Sequence, residues 1–112
     1  MTRIEAIIQP WALEEVKKAL THEWIAGLTV CEVKGCGRQR GHELVYRGGE
    51  YGSAMRPKLK VEIVVPSPLV PRLLEDLTRW LRTGEIGDGK LFVSPVDEVI
   101  RIRTGERGEG AL

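Results

Sequence analysis

Long apolar runs are missing from this chain. Nothing in its 112 residues approaches the roughly 20 consecutive apolar side chains of a membrane-crossing helix, and the opening Met-Thr-Arg-Ile-Glu is no secretion signal. Net charge is equally scarce, since 17 Lys and Arg against 16 Asp and Glu leave only +1. No global field therefore recruits nucleic acid or an acidic membrane, and any anion site must be local. Two cysteines, Cys31 and Cys36, lie five apart without a matching His/Cys pair, which reads as reduced thiols in a cytoplasmic protein. With one phenylalanine and no tyrosine on an expected strand, an RNA-binding sheet that stacks bases on aromatics is excluded.

What remains is ordinary globular material, 42% hydrophobic and 29% charged, at a length that suits one domain, 1–112. Arg3–Gln9 alternates, with Ile4, Ala6 and Ile8 on one face, and reads as a strand. Pro10 opens a helix with Leu13, Val16, Ala19 and Leu20 inward and Glu14, Glu15, Lys17 and Lys18 in water. The adjacent carboxylates there suit a solvated helix face, with Glu14 near Lys17 and Lys18, better than a catalytic pair. Trp11 and Trp24 are expected over the helix ends. After Gly27 comes a second strand, Leu28–Lys34.

Lys58–Val65 alternates again as a third strand, and prolines 66, 68 and 71 bracket the turn into a second helix. That helix carries Val70, Leu73, Leu74, Leu77 and Leu81 inward and Arg72, Glu75, Asp76 and Arg79 outward, stopping at Thr83-Gly84. Leu91–Val93 is the fourth strand, and Val99–Arg103 reads as strand too. Strand–helix–strand twice over predicts an α+β ferredoxin-like βαββαβ sandwich: four antiparallel strands with both helices on one face. The other face would carry Ile7, Thr29, Cys31, Val33 and Val64 among Glu5, Glu62 and Lys60. Such a face is awkward for a monomer and natural for a closed oligomer.

Two stretches carry the functional signal. Between strands two and three, about 37–55, arginines, glycines, Tyr46 and Tyr51 follow no helical or alternating pattern, and a loop that long in a compact domain reads as functional. Its apolar and aromatic residues among arginines suit a segment that folds onto a partner. The second stretch, about 82–90, contains Thr83-Gly-Glu-Ile-Gly-Asp-Gly-Lys90. Its glycines can bring backbone N–H groups to an anion, and Lys90 adds a point charge. The spacing is not that of a nucleotide-triphosphatase phosphate loop, and a tight helix-to-strand turn explains it as well. Arg101 and Arg103, at i and i+2 of a strand, would share a face as a phosphate clamp; otherwise they pair with Glu98 or Glu106.

Lys34-Gly-Cys-Gly-Arg-Gln39, Tyr46-Arg-Gly-Gly-Glu-Tyr51, Val61–Pro66, Thr83–Lys90 and Val99-Ile-Arg-Ile-Arg-Thr-Gly-Glu106 together resemble the PII nitrogen-regulatory signal proteins, in order and spacing along the whole chain. The resemblance implies a homotrimer that binds ATP or ADP between neighbouring subunits. With Mg2+ and ATP it would also bind 2-oxoglutarate, and the 37–55 loop would address an ammonium transporter or nitrogen-metabolism enzymes and regulators.

Carried over by position, Ile7, Thr29, Glu62 and Val64 would surround adenosine, and Gly35, Gly37 and Arg38 would lie beside the nucleotide. Gly87, Asp88, Gly89 and Lys90 of one subunit, with Arg101 and Arg103 of the next, the latter in a C-terminal loop of about 102–112, would hold the phosphates. Gln39 would ligate Mg2+ and, with Gly41 and Lys58, bind 2-oxoglutarate. Tyr51 would be the nucleotidyltransferase target, and Tyr46 and Arg47 partner contacts. No nucleic acid is implied, and a membrane only through a partner. The chain departs from the family at Gly49, where alanine or serine is frequent, at Cys36 for an aromatic, at Gln9 for lysine, and in the loop after Tyr51. Two other readings stay open: a related sensor of another small anion, and a small ATP-hydrolysing enzyme with Glu50 or Asp88 as base.

Overall fold

The computed structural model describes residues 1–37 and 55–112. Its strands are β1 (Thr2–Ile8), β2 (Thr29–Gly35), β3 (Arg56–Val65) and β4 (Lys90–Pro95). They form one sheet in the order β2-β3-β1-β4, antiparallel throughout. One helical segment follows β1, with α1 (Leu13–Lys17) between 3-10 turns at Pro10–Ala12 and Lys18–Thr21. The other, α2 (Val70–Leu81), precedes β4. This is the expected ferredoxin-like arrangement.

Strand alternation decides the core. Ile4, Ala6 and Ile8 of β1 and Leu59, Val61, Ile63 and Val65 of β3 are buried against Ala12, Val16 and Ala19 of the first helical segment and Leu73, Leu77 and Leu81 of α2. Each fully buried aliphatic side chain contributes about 1.5–3 kcal/mol, so the two-residue and near-four-residue periods suffice to seat both helices on one face.

Four expectations are corrected. Leu20 is 46% exposed rather than inward, because Lys18–Thr21 winds as a 3-10 helix. At three residues per turn Ala19 lines up under Val16, and Leu20 rotates into solvent. Trp11 is 62% exposed rather than packed over the helix, while Ala12 beside it is buried. Asp76, expected outside, is only 8% exposed. It lies next to the Leu73–Leu77 stripe and accepts hydrogen bonds from His22 Nε2 and Arg79 Nη2, both at 2.9 Å. The His22 ring is stacked on Trp24, 4.8 Å between centroids, and its bond to Asp76 ties the chain beyond α1 to α2. Finally, Val99–Arg103 is no strand. It folds back on itself through Gly105 and Gly108, both at positive φ, with Arg101 N–H bonded to the Glu106 carbonyl and Gly105 N–H to that of Arg101.

The helix surface charges pair locally, Lys17 with Glu14 and Lys18 with Glu15; contacts of this kind are worth about 0.2–0.5 kcal/mol. Asp76 is different, because the hydrogen bond from His22 above all, with the Arg79 charge, outweighs desolvation and lowers its pKa. A carboxyl depressed in the folded state contributes stability above its ordinary range near 4 and loses it as pH falls through the folded value. Asp76→Asn should therefore lower the melting temperature at pH 7, and the gap from wild type should close on acidification below about pH 4. Thermal melts across pH check this; a gap independent of pH contradicts it.

Candidate anion site

The turn 82–90 owes its path to Gly84, Gly87 and Gly89, at φ 88°, 101° and 105°, a region costly for any residue with a Cβ. Asp88 ties the turn from inside. Its carboxylate accepts the N–H groups of Thr83 and Gly84 at 2.8 and 3.0 Å, and also the Thr83 hydroxyl. Those bonds, the Thr83 hydroxyl first, hold the Asp88 carboxyl below its ordinary range. The sequence expectation had Asp88 beside a ligand, but its side chain is engaged with its own turn.

Gly89 presses onto β1 so closely that a Cβ there would stand 2.0 Å from the Ile7 carbonyl oxygen. This contact stations the turn over the end of β1, where Ile7 pairs with Lys90 across to β4 and with Lys60 across to β3. The result is a cleft of about 440 Å³ between the turn and the β2–β3 end. Ile7, Gly35, Gly37, Lys58, Gly87, Gly89 and Lys90 line it together with Cys36, Ile86 and Phe92, so Ile7 is not beside Thr29, Glu62 and Val64, with which it was expected to surround adenosine. Among the described residues neither Lys58 nor Lys90 is in an ion pair. Two ammonium groups without an ion pair, beside a glycine-rich turn, can receive an anion.

Thr29, Glu62 and Val64 are elsewhere. They line a second cleft of about 360 Å³ with Arg3, Gly27 and Leu112, toward the end of the open face where β1 begins. Lys58 and Val64 are six residues apart on β3, about 20 Å, and the Lys60–Glu5 pair (3.7 Å) lies between the two regions. Arg3 pairs with Glu62 at 3.5 Å. Arg101 reaches this end: its guanidinium donates to the Leu112 carbonyl at 3.0 Å and to Glu106 at 3.1 Å. The expected two-arginine strand face is thus corrected. Arg101 makes the alternative Glu106 pair, and Arg103 stands exposed in a turn. Glu98 pairs instead with Arg107.

Arg38, Gln39, Gly41, Tyr46, Arg47, Tyr51 and Glu50 lie outside the described residues, and so does nearly all of the 37–55 loop. Ile86 and Phe92 line the cleft and were not among the expected site residues. Phe92 was open to inference, since it follows Lys90 at i+2 on β4 and so shares its face.

Over residues 1–106 the chain matches the sequence pattern of the family described as Nitrogen regulatory protein P-II. The chain belongs to the P-II family. It is 54% identical to the Nitrogen regulatory protein P-II of Azospirillum brasilense and 54% to that of Rhizobium etli. It is 51% identical to Nitrogen regulatory protein P-II 1 of Escherichia coli K12, and each comparison runs over all 112 residues of both chains.

In this P-II chain, among the described residues, no helix is long and apolar enough to cross a membrane, and no three His, Cys, Asp or Glu gather as a metal site. Cys31 and Cys36 are free and exposed.

The glycines of this P-II turn differ in what a methyl group would meet, and that gives a graded test. Gly89→Ala combines a positive φ with the collision at Ile7 and should cost about 2–4 kcal/mol. Gly84→Ala, with open space around it, should cost about 1–2 kcal/mol for backbone strain alone. Gly27→Ala, with no positive φ and nothing within 4 Å, should be nearly neutral. Denaturant titration of the three variants checks the order; equal losses contradict it.

Proposed function

We propose that this chain is a regulatory protein that binds ATP or ADP at a site shared between neighbouring copies of a trimer. With Mg-ATP it takes 2-oxoglutarate, and it reports carbon, nitrogen and energy status to enzymes or transporters of nitrogen metabolism through the 37–55 loop. The observation that carries the reading is the division of the expected nucleotide residues between two clefts. The turn cleft, with Lys58, Lys90 and glycines 35, 37, 87 and 89, suits phosphates. The Thr29–Glu62–Val64 cleft, with Arg101 nearby, lacks such a turn. A ligand bridging both ends of one chain would have to run along the open sheet over the Lys60–Glu5 pair. In a closed ring the second cleft of one copy instead meets the first cleft of the next. Ile86 and Ile102, at 85% and 98% exposure, and Phe92 on the open face are apolar surface that such a contact would cover.

The glycine turn and lysines fit a nucleotide phosphate, which would approach close to the backbone. Bound Mg2+ would neutralise phosphate charge and offer 2-oxoglutarate a further coordination position, with Gln39 as protein ligand and Lys58 facing a carboxylate. In regulatory use, ligation of Gln39 would bias the loop that partners contact through Tyr46, Arg47 and Tyr51, so a partner needing the ADP arrangement would be released. An ATP-hydrolysing enzyme is the poorer reading, because the Asp88 carboxyl is a weakened base already holding three donors.

Calorimetry with native mass spectrometry tests the proposal. A trimer should bind ATP, and Lys90→Ala should weaken it about ten- to a hundredfold, the worth of one charge-assisted hydrogen bond. Lys58→Met should abolish 2-oxoglutarate binding to the Mg-ATP complex and leave ATP largely intact. A monomer that binds ATP as tightly as the wild-type sample, or equal 2-oxoglutarate affinity in ADP and ATP complexes, would overturn the reading.

A further inference from the structure

The turn that forms the first cleft is held from outside by a residue that does not line it. Gln9 follows β1 and precedes Pro10, and the residue before a proline is confined to extended backbone; Gln9 sits at φ −69°, ψ 145°. Its carbonyl accepts Ala12 N–H at 3.0 Å, so its backbone is fixed on both sides. From that base its carboxamide Nε2 donates to the Gly87 carbonyl across 78 residues of sequence, at 2.8 Å and partly buried. The approach is tight, since a Cβ on Gly87 would stand 2.8 Å from that nitrogen.

We infer that Gln9 is a positioning residue that makes the glycine turn an anion receptor, by keeping the Gly87 carbonyl oxygen turned out of the cleft. In a trans peptide the carbonyl and the following N–H point in opposite directions, and no peptide bond here is cis. Drawing the Gly87 carbonyl toward Gln9 therefore sends the Asp88 N–H the other way. Glycine at this position can rotate through conformations closed to other residues, so the same freedom that shapes the turn allows this peptide to reverse. Reversed, it presents the negative end of its dipole to an incoming anion. The Asp88 carboxylate is bonded to Thr83 and Gly84 and makes no bond to the Gly87 carbonyl. The Gln9 hydrogen bond is the restraint that acts on the Gly87 carbonyl itself. Since Gln9 is uncharged, its influence on an anion is steric and dipolar, exerted through Gly87, and the cationic charge of the cleft stays with Lys58 and Lys90.

The inference rests on the phosphate-binding reading above and deepens it. Its test uses the full chain with Gln9→Met, which keeps side-chain length without a donor, and Gln9→Lys, which restores one. Binding of ATP and of adenosine is followed by calorimetry and competition, and amide hydrogen exchange at Asp88 is followed in ligand-free protein. Gln9→Met should speed exchange at Asp88 and weaken ATP about five- to tenfold, the worth of one neutral hydrogen bond, with adenosine affinity unchanged. Gln9→Lys should return both exchange and ATP affinity toward wild type. Unchanged ATP binding in Gln9→Met, or a parallel loss of adenosine that marks mere unfolding of the site, overturns the inference. Wild-type protein that binds neither ATP nor ADP overturns the nucleotide reading instead, and the exchange rates then still decide whether Gln9 holds the peptide.

Discussion

Among the described residues, a four-stranded sheet served by two helices leaves one face without a covering layer. Everything distinctive about this protein follows from that constraint. The covered face absorbs the alternating Ile, Val and Leu of β1 and β3 and the Leu stripe of α2, and supplies the stability. The uncovered face places Glu5 directly opposite Glu62, an arrangement unfavourable for paired strands. It is relieved by the diagonal contacts Arg3–Glu62 and Lys60–Glu5. Both clefts form at the borders of this face, where loops overhang it. A surface of this kind gains from a neighbour, and the proposed nucleotide site is a consequence of supplying one.

As the proposed phosphate receptor, the turn 82–90 would demand little chemistry of side chains. Its glycines let the backbone approach β1 to a distance no Cβ allows, while Asp88 and Gln9 brace it from opposite sides. Charge enters only at the margins, through Lys90 and, from β3, Lys58. The same economy governs the other end, where the C-terminal Leu112 and Arg101 close against β3 and the Gly27–Thr29 segment. The His22–Asp76 contact anchors the chain just upstream of that segment to α2, so the wall of the second cleft is fixed to the helical layer as well as to the sheet.

Sequence alone determined the four sheet strands and the second helix, because a period of two or near four acts locally and burial rewards it directly. Ile4, Ala6 and Ile8 could face only one way once β1 was extended, and Leu73, Leu77 and Leu81 only one way once α2 was helical. The glycine turn and its lysine were also legible, since positive φ leaves its mark on residue type. The helix around α1 was harder to read, because its 3-10 ends shift the buried stripe from Leu20 to Ala19 without any change in composition. What only the tertiary structure decided is which distant residues meet. Asp76 looks like a surface residue until His22, 54 positions away, arrives with a hydrogen bond. Arg101 and Arg103 look like a strand pair until Gly105 and Gly108 turn the segment back and Glu106 takes Arg101. Gln9 stands out in the sequence only as glutamine where the family often has lysine, and its contact appears only once Gly87 stands beside it, because a hydrogen bond across 78 residues depends on where the sheet sets its two ends.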